Sequence, residues 1–266
     1  MLGCLLGGIF LASMRSPVDD LPWQPSRESA LRAAAASGKS ILLVADPSAT
    51  GAMEGRILTV LRALGEDAFA SHVLAHSQRT AGVDAWQRGI EPRDSYFVWL
   101  DPQGRELLRS PGWIGGARYR LYSAYAQSAL TRRKRANLSG LERLRDQVAA
   151  GELADAEAFI SRNRSSEDAK RLCVDLAEHY LNRRFIHTAM HWAKRADPAN
   201  LPTDDRGRLG IVLTGLGLFK GDFTQAYESV RVALGAGLSP AERAYAQATA
   251  SRLKDRIGGP VVHRSR

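Results

Sequence analysis

Cysteine is nearly absent from this 266-residue chain, where Cys4 and Cys173 are the whole complement. That excludes a disulfide-stapled scaffold, a multi-cysteine zinc site and a CxxC redox pair. Long apolar runs are missing as well. The best candidate, residues 2–12 (LGCLLGGIFLA), is far shorter than the ~20 helical residues that cross a bilayer. Negative charge is in short supply. Asp and Glu number 28 against 37 Lys and Arg, a net +9. Residues 1–130 hold 13 basic and 12 acidic side chains, and residues 131–266 hold 24 and 16. An anionic partner should therefore meet the C-terminal half. What the chain does have is 44% hydrophobic residues, enough for a proper core, and this excludes wholesale disorder.

The apolar stretch near the N-terminus fits a signal-peptide core, with Ala12 and Ser13 as a small-residue cleavage zone, although no Lys or Arg precedes it. Two readings stand. Either residues 1–14 are an export signal, which makes the protein periplasmic or otherwise extracytoplasmic and removes Cys4, or Met14 is the true start and the protein is cytoplasmic.

Beyond it the chain has two regimes. In residues 22–130, short apolar runs alternate with helical patterns. Ser26 caps a helix through Ser37, Gly38 ends it, and Ile41–Val44 reads as a strand buried on both faces. A helix is expected from Gly51 to Leu64, a weak strand at His72–Ala75 and a strong one at Tyr96–Leu100. Asp101-Pro102-Gln103-Gly104 is a turn, Glu106–Leu108 returns as a hairpin strand, and a helix from Ala117 to Thr131 follows. This order predicts a mixed sheet with helices on both faces. Residues 138–258 are helical throughout, and 259–266 read as a disordered tail. The basic run Arg132-Arg133-Lys134-Arg135 lies in the linker, residues 131–137, between the two regimes.

The first regime resembles the thioredoxin superfamily. The resemblance rests on Trp23, on Gly38-Lys39 and Ile41–Asp46, on Met53-Glu54, and on the Tyr96–Leu100 strand leading into Asp101–Gly104. It implies a thioredoxin-like fold with its active site where the first central strand meets the next helix. There the family's tryptophan position falls on Pro47 and its two cysteine positions on Ser48 and Gly51, so CxxC becomes Ser48-Ala49-Thr50-Gly51. The family's cis-proline position falls on Ser95. Thiol–disulfide exchange needs a thiolate and a resolving thiol, and serine supplies neither. Redox activity should therefore be absent.

The second regime repeats. Gly151-Glu152-Leu153-Ala154-Asp155-Ala156 matches Gly221-Asp222-Phe223-Thr224-Gln225-Ala226, with Arg184-Phe185-Ile186-His187-Thr188-Ala189 between them. With Leu176-Ala177, Tyr180, Ala196 and Ala233, this spacing resembles tetratricopeptide repeats. The resemblance implies three helical hairpins, Ala241–Asp255 as a capping helix, and a concave surface that holds a peptide or protein. Ala189 and Ala226 should sit where paired helices cross, while Ala154 should face outward.

Other constellations have plainer readings. His187 and His191 share a spacing that could hold a metal, with Glu178 and His179 upstream, but no HExxH word or fixed third ligand accompanies them. They read as polar residues of a repeat helix. The glycines of Gly215–Gly221 lie inside a helical repeat and do not follow a strand, which argues against a phosphate loop. Cys173 reads as a buried, inert thiol. Ser48 and Thr50 read as helix caps, with a nucleophile or anion site as the alternative.

The expected fold class is therefore an α/β thioredoxin-like mixed sheet joined to an all-α, tetratricopeptide-like hairpin domain. The expected function is a non-catalytic adaptor for another protein or an extended peptide, with no metal and no small-molecule cofactor. Its contact residues would include Thr50, Arg93, Asp94, His179, His187 and His191. Two alternatives accompany it. One is a non-redox enzyme using Ser48 or Thr50, and the other is docking on nucleic acid or an anionic membrane through Arg132, Arg133, Lys134 and Arg135.

Overall fold

A computed structural model describes residues 21–45, 61, 63–64, 69–77, 80–86, 96–111, 115–135 and 137–258. The N-terminal segment, the Gly51–Leu64 helix apart from its last turn, and the 259–266 tail lie outside the described residues.

Helix α1, Arg27–Ser37, starts at a reciprocal cap. Ser29 N donates to Ser26 Oγ and Ser26 N to Ser29 Oγ, both at 3.1 Å. It ends at Gly38, whose φ of 66° is the left-handed conformation that glycine adopts without penalty. Four strands follow, β1 (Ser40–Ala45), β2 (His72–His76), β3 (Tyr96–Leu100) and β4 (Glu106–Pro111). They form one mixed sheet of order β2-β1-β3-β4. β1 is parallel to β2, and β3 is antiparallel to both β1 and β4. A single-residue bridge adds Trp23 beside Leu74 on the outer side of β2.

β1 reads as a continuous apolar run because its two faces enter two cores. Leu42 and Val44 join Phe97, Trp99 and the helix that follows the sheet. Ile41, Leu43 and Ala45 join Val98, Leu100 and the α1 alanines Ala30 and Ala34. The β3–β4 turn is fixed by Asp101, whose Oδ1 accepts from the backbone N–H groups of Gln103 and Arg105, each at 2.9 Å. Gly104 sits there at φ 79°, and a Cβ on it would come 2.7 Å from Trp86 Nε1. Only glycine suits both demands.

Helix α2 covers residues Gly116–Arg133, two residues beyond the expected end. The first two residues of the basic run therefore belong to the helix and not to the linker. Tyr119 and Tyr122 pack on Trp99 of the sheet. Seven helices complete the described residues: α3 (Gly140–Ala150), α4 (Ala154–Arg162), α5 (Glu167–Asn182), α6 (Ile186–Arg195), α7 (Thr203–Lys220), α8 (Phe223–Leu234) and α9 (Pro240–Gly258). The first six pair in sequence as hairpins.

The three repeat words share one backbone feature. Their first residues, Gly151, Arg184 and Gly221, all take positive φ (89°, 61° and 76°) between the helices of a hairpin. Their last residues, Ala156, Ala189 and Ala226, are fully buried, and Ala154 is exposed. Small side chains let helix axes approach. At the closest pair, α7 with α8, a Cβ on Gly210 would lie 2.8 Å from Ala233 Cβ, and one on Gly217 would lie 2.9 Å from Ala226 N. Cys173 is buried among the α5 side chains, and desolvation pushes its thiol up to about 11.

Candidate functional site

The sheet and the hairpins meet across α2. Its sheet-distal side and β4 face the first helices of the hairpins, α3, α5 and α7, and also α9. Between them lies a cleft of about 780 Å³. From α2 it takes Tyr125, Ser128, Ala129 and Arg132, one helical face at i, i+3, i+4 and i+7. From α5 it takes Asp175, Glu178, His179 and Asn182, a face with the same period.

Side chains from three hairpins interlock in its wall. Arg145 on α3 donates Nε to Asp175 Oδ2 at 2.8 Å and Nη2 to Asp205 Oδ1 at 2.6 Å. Arg171 on α5 donates Nε to Asp205 Oδ2 at 2.7 Å. Arg208 on α7 pairs with Asp175 at 2.8 Å and donates to Glu178. Asp205 is 1% exposed, and burying a carboxylate is costly unless it is paired, as it is here with Arg145 and Arg171. Burial alone would raise the Asp175 carboxyl, but Arg145 and Arg208 outweigh it and hold it below the usual range. For Glu178 the balance tips the other way, and desolvation raises it. The network gives the cleft fixed geometry, because moving any one member leaves a buried charge uncompensated.

The basic run is dispersed by this arrangement. Arg133 is a cross-brace, donating Nη1 to Asp101 Oδ2 at 2.9 Å, Nε to Asp146 Oδ2 at 2.8 Å and Nη2 to the Glu106 carbonyl at 2.9 Å. Lys134 Nζ donates to the Gly38 carbonyl at 3.0 Å. Arg135 is exposed and pairs with Glu142 at 3.3 Å. Arg132 alone lines the cleft. The four do not form one cationic surface.

The histidines separate too. His179 faces the cleft, where its Nδ1 accepts from Arg183 Nη1 at 3.0 Å. Burial, with Arg183 adding to it, pushes its pKa down to about 3. His187 and His191 are exposed on α6, outside the cleft. Among the described residues no cluster of three or more side chains could hold a metal. Nor is any described helix long and apolar enough to cross a membrane. Pro47, Ser48, Thr50, Gly51, Arg93, Asp94 and Ser95 all lie outside the described residues.

The sequence reading missed Arg145, Asp175, Asp205 and Arg208, and weighed Glu178 only beside the histidines. One signal was present. Arg171 and Arg208 stand equally far ahead of Arg184 and Gly221, so adjacent repeats place an arginine at the same position. Compared with family models, curated proteins and solved structures, the chain matches none of them.

Proposed function

We propose that this chain is a non-catalytic adaptor, in which a redox-inactive thioredoxin-like unit and three tetratricopeptide-like hairpins share one binding cleft. The observation that carries the reading is the cleft at their junction. Its volume falls within the roughly 300–1,000 Å³ typical of ligand sites, and its charged wall is immobilised before any ligand arrives. A preformed wall lowers the entropic cost of holding a flexible peptide. The strand order and directions support the thioredoxin-like part. The repeated left-handed turns and buried alanines support the hairpin part. The adaptor binds an extended segment of another protein between α2 and the hairpins.

Docking through the basic run as a unit is disfavoured, since Arg133 and Lys134 are already engaged within the chain. Blocking the cleft tests the adaptor reading. Ala124 lines the cleft yet is exposed, so Ala124→Trp fills space without disturbing the core. Peptides selected from a random library on the full chain should bind this variant roughly tenfold or more weakly, at an unchanged melting temperature. A library that yields no binder, or binders indifferent to the tryptophan, rejects the proposal.

A further inference from the structure

Arg132 differs from the other arginines of the inner cleft. Arg145, Arg171 and Arg208 each hold at least one of Asp175, Glu178 and Asp205. Arg132 holds only a hydroxyl. Its Nη1 donates to Ser128 Oγ at 3.2 Å, and its buried Nε has no acceptor among the described residues. Desolvation, and then the charge of Arg208, lower its affinity for its proton and outweigh the nearby Asp175 and Asp146, neither of which it bonds. A second donor is in the same state. Asn182, 1% exposed, spends Oδ1 on the Tyr122 hydroxyl and leaves Nδ2 without an acceptor. Both side chains line the cleft.

The missing partner selects the ligand. Six arginines and six carboxylates line the cleft, so its formal charge balances. Asp175, Glu178 and Asp205 are held by Arg145, Arg171 and Arg208, however, and none of these three carboxylates bonds Arg132. Other carboxylates in the lining are turned to local tasks. Glu142 and Glu242 accept from the backbone N–H groups of Ser139 and Ser239 at their own helix starts, and Asp204 is exposed in the first turn of α7. One carboxylate supplies the partner that Arg132 lacks. A phosphate dianion would bring twice the negative charge against Asp175 and Glu178. The adjoining wall is apolar, formed by Leu107, Leu141 and Val148, so the body behind the carboxylate is apolar as well.

We infer that the cleft binds a carboxylate carried on an apolar body, with the Arg132 guanidinium as its seat. The Asn182 amide supplies a donor elsewhere on the same ligand. The inference rests on the adaptor reading in so far as the carboxylate belongs to a partner peptide. A free carboxylic acid has the same chemistry, and the experiment separates the two.

Calorimetric titration of the full chain at constant ionic strength, with N-acetylleucine as probe, should show one saturable site. N-acetylleucinamide, which lacks the carboxylate, should not bind. Arg132→Gln should weaken N-acetylleucine by about 10- to 100-fold, the value of a charge-assisted contact. Arg143→Gln removes the same charge from an exposed position of α3 and should change nothing. Arg132→Gln should also keep the wild-type melting temperature, because it loses no carboxylate partner. A short peptide ending in leucine that binds more tightly than N-acetylleucine assigns the carboxylate to a chain terminus. Equal affinity assigns it to a free acid. No saturable uptake by the wild type, equal binding of the amide, or unchanged affinity in Arg132→Gln overturns the site. None of these three results touches the adaptor reading, which fails instead when selected peptides ignore Ala124→Trp.

Discussion

His72 shows how one buried side chain makes stability depend on pH. It lies at the start of β2, 6% exposed, with Nδ1 2.7 Å from Ser40 Oγ and Nε2 2.6 Å from Ser123 Oγ. Two hydroxyls satisfy a neutral ring, each able to donate or accept, but they cannot compensate a buried imidazolium. Desolvation, with Lys39 adding to it, pushes the pKa down from 6.5 to about 4. A folded-state pKa below the unfolded value means that protonation favours unfolding. The contribution is complete above about pH 6.5 and is lost as pH falls towards 4, amounting to about 3 kcal/mol. Urea unfolding of the wild type should show this decline across that window. His72→Gln, which cannot titrate, should be less stable at pH 7 but decline less on acidification, with His179 and the paired carboxylates still contributing. Parallel pH profiles for the two proteins would mean that His72 takes up its proton as readily in the fold as in the unfolded chain.

The hairpins depend on close approach between helices, and each small residue at a crossing has a testable cost. At Gly217 a methyl group would stand 2.9 Å from Ala226 N and 3.0 Å from its Cβ, with α8 backbone in the way. Gly217→Ala gains ~1 kcal/mol of helix propensity, but it forces α7 and α8 apart, and overpacking of this kind costs ~1–3 kcal/mol. The net change should be destabilising. Ala226→Leu and Ala189→Leu should lower the melting temperature further, while Ala154→Leu, on an exposed position, should have little effect. Equal melting temperatures for Ala226→Leu and Ala154→Leu would refute the hairpin packing. Much at this scale was legible in the sequence because its causes are local. The Ser26 cap, the Gly38 stop, the run Ile41–Val44 and the turn Asp101–Gly104 each act within a few residues. The repeat words marked the left-handed turns, although Arg184 conceals its turn behind a side chain that rarely adopts positive φ. The cleft was not legible. Arg145, Asp175 and Asp205 are partners across three hairpins, and no local pattern tells a paired arginine from a solvated one. Arg132 was singled out for its neighbours in sequence, yet its role comes from facing away from them.

At the scale of the whole molecule, a basic run that reads as a boundary is where the two halves are fastened. Arg133 reaches Asp101 on the sheet side and Asp146 on α3, and its side chain is 7% exposed. Nearby, Tyr122 donates to Asn182, Tyr125 donates to Glu242 at 2.8 Å, and Arg183 reaches back to Glu106. These contacts place residues of the sheet unit against α3, α5 and α9, so neither half buries its surface without the other. Scanning calorimetry of the full chain should therefore show one transition, with calorimetric and van't Hoff enthalpies in agreement. Arg133→Met keeps the length of the side chain and removes its charge. It leaves Asp146 and part of Asp101 without a counter-charge, which should cost about 3 kcal/mol. In a chain of this size that lowers the melting temperature by roughly 6–12 °C. Lys134→Met breaks one exposed bond to a carbonyl and should cost far less. If Arg133→Met lowers one part of the transition and leaves the rest at the wild-type temperature, the halves are coupled only through this arginine. Two resolved transitions in the wild type would mean that they fold independently, and that a cleft between them cannot have the fixed geometry its ligand requires.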